Sequence, residues 1–403
     1  MGVEIRAIGP EEFPDLLRAM GLAFHFDPPS DDHFRQILSF ERTFAGFDGT
    51  EMVSNLSAFP LQMSVPGSVV PCGGTTIVSV LPTHRRQGLL RAMMLRHLDD
   101  VREHEEPIAA LWASDSAIYG RFGFGMASVG YQVKLQRDHV GFHRLAPDPA
   151  PVRAIDAEEA AKALPPFYDR IYPGTPGFYA RPPAWWEHRI LADEDHRRGG
   201  ATAFRFAVVD GPDGIDGYLQ FRVKDSWVGG HGAAEVLIKD LFGTTPESWA
   251  GLWSFALNQD LVGEITAERR PGYDPIFDLL AGIRRAQAKR SDNLWVRIMD
   301  VPRALGARSY SAPLDTVIEV RDPVGDTHGR YRLTASMEGA ECLPTDDDAN
   351  IGIDAEDLGG IYLGRSRLSE LSRLGRVAGD PALFAAADAA FTWEPQPWCP
   401  EVF

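Results

Sequence analysis

Cysteine is scarce in this chain of 403 residues. Cys72, Cys342 and Cys399 stand far apart and form no CxxC pair, which argues against a disulfide framework or a cysteine-based zinc site. Long apolar runs are missing as well. No stretch reaches the roughly 18 residues that a membrane-spanning helix requires. The start, MGVEIRAIGPEEF, has no basic segment followed by an apolar one, so no secretion signal is expected. Basic residues are outnumbered, 40 against 57 acidic, giving a formal net charge of -17. That balance argues against a general nucleic-acid or membrane-surface binder and is compatible with cationic ligands. What remains, 44% hydrophobic and 24% charged, describes a soluble globular protein of two or three domains, expected to be an enzyme or binding protein of the cytoplasm.

Residues 1–135 read as mixed α/β. PEEFPDLLRAMGLAF carries Phe13, Leu16, Leu17 and Met20 at helical spacing, and SNLSAFPLQMSV alternates like a strand before the Pro66-Gly67 turn. TTIVSVL is β-branched and stops at Pro82. GLLRAMMLRHLDDVREH places Leu90, Met94, Leu98 and Val101 on one stripe, and PIAALWA reads as a buried strand. A strand–helix–strand order of this kind implies a right-handed parallel crossover. Residues 136–292 repeat the plan with different residues: TAFRFAVVDGPDGIDGYLQFRV as two strands around a turn, then AEVLIKDLFGTTPESWAGLWSFALNQD, then GEITAERR. Tyr172 to Trp186, rich in Pro, Gly and aromatics, reads as an ordered connector. Residues 293–403 form a third unit, with strands in LWVRIMDV and HGRYRLTAS and short helices in DAEDLGGIYLG and PALFAAADAAF. The tail TWEPQPWCPEVF is too aromatic for a disposable segment and is expected to pack.

The chemistry concentrates at VSVLPTHRRQGLLRAMM, Val78 to Met94. A strand entering a helix through a glycine-containing loop leaves the first helical N–H groups unpaired, and with the positive end of the helix dipole they suit a phosphate. Gly88 lets the backbone approach an anion closely, and Arg85 and Arg86 can add charge-assisted hydrogen bonds. The alternative is a solvated basic pair, but cations at a helix N-terminus are disfavoured unless an anion sits there. The pattern is R-R-x-G, not a dinucleotide loop and not a Walker loop. The corresponding junction of the second unit, KDLFGTTPESWAGLW, lacks the arginine pair and adds Glu247, so that unit reads as a scaffold without coenzyme binding.

The segment VSVLPTHRRQGLLRAMM resembles the pyrophosphate-binding motif of the GNAT acetyltransferase superfamily. ASDSAIYGRFGFG, Ala113 to Gly125, and the final Phe403 make the chain similar to the enhanced intracellular survival (Eis) family of multi-amine N-acetyltransferases. The resemblance covers nearly the whole chain, the middle part in plan only. It implies an α+β (mixed α/β) protein of tandem GNAT folds, the N-terminal one active and the central one degenerate, followed by a C-terminal sterol-carrier-like domain. It also implies acetyl-CoA as co-substrate, no metal, and a homo-oligomer, a hexamer in that family.

Site residues follow from the same resemblance. Val78, Ser79 and Val80 would hold the pantetheine and acetyl parts through the main chain, although Val78 and Val80 also suit core packing. Arg85, Arg86, Gly88, Leu89 and Leu90 would bind the pyrophosphate, and Ser114 would contact the coenzyme. Tyr119 matches the family's general acid, its phenol pKa near 10 suiting a thiolate. The alternative for Tyr119 is a packed aromatic with a satisfied hydroxyl. The α-carboxylate of Phe403 would accept or orient the amine proton, its ring anchoring the tail, or the tail is simply an ordered hydrophobic end. Asp27, Phe24 and Glu401 match acceptor-pocket positions, with Phe26 and His33 on the same wall. Asp31 and Asp32 read as loop surface. The function so implied is N-acetylation of aminoglycosides, polyamines or lysine side chains by direct transfer to the amine. The rival readings are a biosynthetic acyltransferase for one amine metabolite, a non-catalytic acyl-CoA or ligand sensor, and, less so, a lipid carrier.

Overall fold

The structure, a computed structural model, describes residues 2–27, 33–325 and 327–403; Asp31 and Asp32 lie outside the described residues. The chain opens with β1 (Glu4–Ala7) and α1 (Phe13–Phe24), then β2 (Thr43–Asp48), β3 (Glu51–Val65) and β4 (Ser68–Val80). Next come α2 (Leu89–Glu103), β5 (Ile108–Trp112) and the short β6 (Gly125–Met126). The expected crossover is present: β4 and β5 pair in parallel around α2. Helix α2 buries Met94, Leu98 and Val101 of the expected stripe and also Leu89 and Met93, while Leu90 is half-buried. Pro60 sits inside β3 beyond the last residue paired with β2, Ser57, so its missing N–H leaves no ladder bond unmade on that side.

The second compact unit comprises residues 129–172 and 181–291. It contains β7 (Val129–Gln136), β8 (Arg153–Ile155), α3 (Ala157–Ile171), β9 (Arg205–Gly211), β10 (Gly214–Lys224), β11 (Ala234–Gly243), α4 (Pro246–Leu257), β12 (Val262–Arg270) and β13 (Lys289–Asp292). Its sheet runs β13-β7-β12-β11-β10-β9-β8, around a core built on Trp253, Leu219, Leu241 and Ile265.

From residue 292 the chain belongs to the first unit again, which takes residues 1–128, 173–180 and 292–403. It adds β14 (Leu294–Ile298), β15 (Leu314–Arg321), β16 (Gly329–Ala335), β17 (Ala340–Pro344), β18 (Ile351–Asp354), α5 (Ala355–Tyr362), β19 (Val377–Gly379) and α6 (Pro381–Phe391). The first sheet runs β1-β2-β3-β4-β5-β14-β6, and the last part forms its own sheet, β17-β16-β15-β18-β19.

Two expectations about domain limits therefore change. The strand Val129–Gln136, nearly all of it within the residues 1–135 expected as the first domain, pairs with β12 in the second sheet. The place beside β5 is filled by β14, with Val296 opposite Ala110. Strand alternation reveals that a segment is a strand but not which sheet receives it. Residues 173–180, in the middle of the expected connector, likewise belong to the first unit.

Candidate functional site

The site begins where β4 leaves its neighbours. Parallel pairing with β5 runs from Cys72 opposite Ile108 to Thr75 opposite Leu111. On the other side, Ser57 faces Thr76 and Asn55 faces Ser79, so Ile77 and Val78 together oppose Leu56. This is a β-bulge. Ile77 has φ of 47°, a region costly for a β-branched residue. Asn55 holds the bulge: its Nδ2 donates to the Ile77 carbonyl, and its Oδ1 accepts from Ser79 Oγ at 2.6 Å. The main chain of β4 is thereby turned toward the gap that opens between β4 and β5.

A cavity of about 880 Å³ lies there. It brings together Val78, Ser79, Val80, Arg85, Arg86, Gly88, Leu89, Leu90, Ser114 and Tyr119, the residues expected around a coenzyme, together with Phe24. Gly88 is the N-cap of α2, at φ of 84°, and no side chain caps the helix. A Cβ at Gly88 would meet nothing within 4 Å, so this glycine serves the backbone conformation and an open approach. Arg85 and Arg86 are exposed, and neither forms an ion pair among the described residues; Arg85 Nε donates to the Val80 carbonyl at 3.3 Å. The uncapped helix end and the two arginines give the cavity the donors an anionic phosphate needs.

The corresponding end of α4 is closed by its own side chains. Thr245 Oγ1 accepts from Ser248 N and Ser248 Oγ accepts from Thr245 N, both at 3.1 Å. Pro246 opens the helix without an N–H, and Glu247 lies in the first turn. A phosphate there would meet spent donors and a carboxylate.

Tyr119 is 4% exposed and packs edge-on to Phe124. Burial raises its phenol pKa above the usual range, a hydrogen bond with Ser114 opposes the rise, and the charge of Asp115 adds to it. A second cavity, about 240 Å³, meets the first at Phe24, Val78, Ser114 and Tyr119. Met20, Thr75, Thr76, Ile77, Leu111, Trp112, Val402 and Phe403 complete its wall. Phe403 and Tyr119 both line this second cavity. Its ring stands edge-on to Tyr179 at 5.4 Å. The tail is pinned by Asn293 Nδ2 on the Cys399 carbonyl at 3.0 Å, by Trp398 N on the Pro176 carbonyl at 2.9 Å and by Trp398 against Phe178.

The acidic positions are not in these two walls. Helix α1 ends in a left-handed turn at His25, and Phe26 N closes on the Gly21 carbonyl. That turn puts Phe26 and Asp27 in a neighbouring groove with Arg18, Leu22 and His25. His33 begins the short helix His33–Ile37. Glu401 is 7% exposed, and its carbonyl accepts from Cys399 Sγ at 3.2 Å. Sequence reading also missed Asn55, Thr75, Thr76 and Trp112. Asn55 lies in a strand that also carries Ser54, Ser57, Gln62 and Ser64, so no local signal singled it out.

The glycines of IYGRFGFG have a role that the motif alone does not disclose. A Cβ on Gly123 would overlap the Arg297 guanidinium, and one on Gly125 would overlap the Glu356 carbonyl at the start of α5. They let the C-terminal part of the first unit lie directly against the Tyr119 segment.

Comparison with known proteins agrees with this architecture. An acetyltransferase (GNAT) domain is matched at residues 4–127 and again at 177–298, and a sterol carrier protein domain at 301–400. The chain therefore has two GNAT domains followed by a sterol-carrier-like domain. An uncharacterized N-acetyltransferase of Streptomyces avermitilis is 37% identical over 376 residues, 90% of each chain. The N-acetyltransferase Eis of Mycobacterium tuberculosis is 35% identical over 353 residues, 85% of this chain and 84% of its own. The crystal structure of Eis1 from Mycobacterium abscessus superposes with a TM-score of 0.86 at 29% identity, covering 99% of this chain and 100% of that one. The chain belongs to the Eis family of N-acetyltransferases.

Proposed function

We propose that the protein transfers the acetyl group of acetyl-CoA directly to a primary amine of a cationic acceptor: an aminoglycoside, a polyamine or a lysine side chain. The observation that carries this reading is the junction at Tyr119, where the phosphate-suited cavity meets the smaller one that contains Phe403. Arg85, Arg86 and the N–H groups after Gly88 hold the pyrophosphate. The bulged main chain at Ile77–Val78 orients the thioester and polarises its carbonyl. The neutral amine attacks the carbonyl carbon, the C–N bond forms and the C–S bond breaks; the Tyr119 hydroxyl gives its proton to the departing sulfur and takes back the proton that the nitrogen loses as the amide forms. The α-carboxylate of Phe403 attracts the ammonium and takes up its proton. A carboxylate is ordinarily a weak base for an alkylammonium, so attracting the cation and directing its proton is the larger part of its role. Phe24 lines the acceptor side, Asp27 adds negative charge in the adjoining groove, and Glu401 adds it from within the packed tail. The protein works in the cytoplasm as a homo-oligomer.

Coenzyme A release is measured with an aminoglycoside, spermidine and a lysine-containing peptide, for the native protein and for one extended by a glycine after Phe403. Turnover that the extension largely abolishes supports both the acetyl transfer and the terminal carboxylate. Turnover indifferent to the extension removes the carboxylate role. Tight acetyl-CoA binding with no turnover on any amine favours a sensor.

A further inference from the structure

We infer that the sterol-carrier-like domain forms the far wall of the acetyl-CoA cavity: Pro323 and Val324, in the loop after β15, close the end that takes the adenosine. This rests on the acetyl-CoA reading above.

The large cavity has two distinguishable ends. Phe24, Val78, Ser114 and Tyr119 are shared with the smaller cavity and mark the reacting end. From Gly88 the large cavity runs down the flank of α2 as far as Leu95, roughly 10 Å at about 1.5 Å per residue. Arg91, Leu95, Arg121, Phe122, Pro323 and Val324 line only this cavity. If the thioester lies at the splayed strands and the pyrophosphate at Gly88, the nucleoside is the part of the coenzyme left for the far end. Leu95, Phe122 and Val324 suit the faces of the adenine, and Arg91 and Arg121 suit the phosphate on the ribose.

The loop is held in place. The Asp322 side chain is fully buried in an ion pair with Arg297 (Nη2 to Oδ2, 2.7 Å). It also accepts from Val324 N at 2.9 Å, Thr327 N at 3.0 Å and Thr327 Oγ1 at 2.9 Å. Arg297 Nη1 donates in turn to the Phe122 carbonyl at 2.6 Å. One guanidinium therefore fixes both facing walls, Phe122 from the IYGRFGFG motif and Val324 from the C-terminal domain. Val324 packs on the core cluster that contains Phe122, Met94 and Leu98. Burial, the largest single influence, opposes ionisation of Asp322, but the Arg297 hydrogen bond and charge together with the Val324 and Thr327 N–H groups outweigh it, and the pKa falls to about 2. The pair stays ionised above that pH.

The test is calorimetric binding of acetyl-CoA, adenosine 3′,5′-bisphosphate and 4′-phosphopantetheine to the full chain and to Val324→Asp and Pro323→Glu. A carboxylate at either position faces the anionic nucleotide, so acetyl-CoA and the bisphosphate are expected to weaken about tenfold, roughly 1.4 kcal/mol, with phosphopantetheine unchanged. Pro323 is exposed, so its variant decides the matter if Val324→Asp does not fold. Unchanged affinity for acetyl-CoA and the bisphosphate in a folded variant overturns the inference, as does equal weakening of phosphopantetheine. Failure of the native protein to bind acetyl-CoA at all would instead refute the acetyl-CoA reading, and the inference with it.

Discussion

Asn55 and Ile77 sit on adjacent strands, and the Asn55 amide holds the Ile77 carbonyl while Ile77 is at φ of 47°. The bulge that turns β4 toward the cavity is kept open by a neighbouring side chain. Asn55→Ala leaves Ser79 Oγ and the Ile77 carbonyl without that partner and lets the strand relax toward regular pairing. A displacement of about 1 Å at a reacting centre costs on the order of 100-fold. The expected outcome is a fall in kcat of that order with the KM for acetyl-CoA within about threefold, read from steady-state kinetics. An equal rise in KM would mean that Asn55 supports binding and not the thioester's orientation.

Tyr119→Phe keeps the packing against Phe124 and removes the proton donor. A positioned general acid contributes roughly 100- to 10,000-fold, so kcat should fall by at least about 100-fold with acetyl-CoA affinity preserved. Because burial raises the phenol pKa above 10, the donor stays protonated through neutral pH. Loss of activity attributable to Tyr119 belongs on the alkaline side, as pH rises through that pKa. A Tyr119→Phe protein with native kcat would end the assignment.

Arg85→Ala and Arg86→Ala should each weaken acetyl-CoA binding about tenfold, the scale of one charge-assisted hydrogen bond. Both guanidiniums are solvent-exposed, so the native affinity should also decline with added salt more steeply than that of either variant. Titration calorimetry at two ionic strengths measures both effects.

Gly125→Ala should destabilise the first unit, because the new methyl would collide with the backbone at Glu356 and Gly360, which cannot rotate aside. Overpacking of this kind costs about 1–3 kcal/mol, visible as a lower denaturation midpoint. Gly88→Ala has open space around it and should cost only the left-handed φ, about 1 kcal/mol. Equal losses for the two would contradict the packing role of Gly125.

His97 is buried on α2, its Nε2 2.6 Å from Thr75 Oγ1. Burial and the nearby Arg42 lower its pKa from 6.5 to about 3. Between those values the unfolded chain binds the proton and the folded chain does not. Stability from this group is therefore present above pH 6.5 and lost as pH falls toward 3, by up to about 1.4 kcal/mol per unit. His97→Gln should flatten that acid limb in denaturant melts across pH 4 to 7; an unchanged limb would place the acid sensitivity elsewhere.

Much of this protein is determined by short stretches of sequence. The hydrophobic stripe Met93–Met94–Leu98–Val101, the β-branched TTIVSVL and the Gly88 junction specify a strand–loop–helix because each depends on neighbours within a few residues. The arginine pair and Gly88 make this junction suited to a phosphate for the same reason. Tertiary structure decided what depends on residues far apart. Which sheet receives Val129–Gln136 and which receives Leu294–Ile298 depends on partner strands far away in the chain, Val262–Arg270 for the first and Ile108–Trp112 for the second. Asn55 gains its meaning from Ile77, 22 positions away, and Arg297 from Phe122 and Asp322. The segment IYGRFGFG carries the family resemblance, yet what Gly123 and Gly125 are needed for comes from a side chain and backbone in the C-terminal part of the chain. Local patterning records which face a residue presents; only folding brings distant residues together at that face.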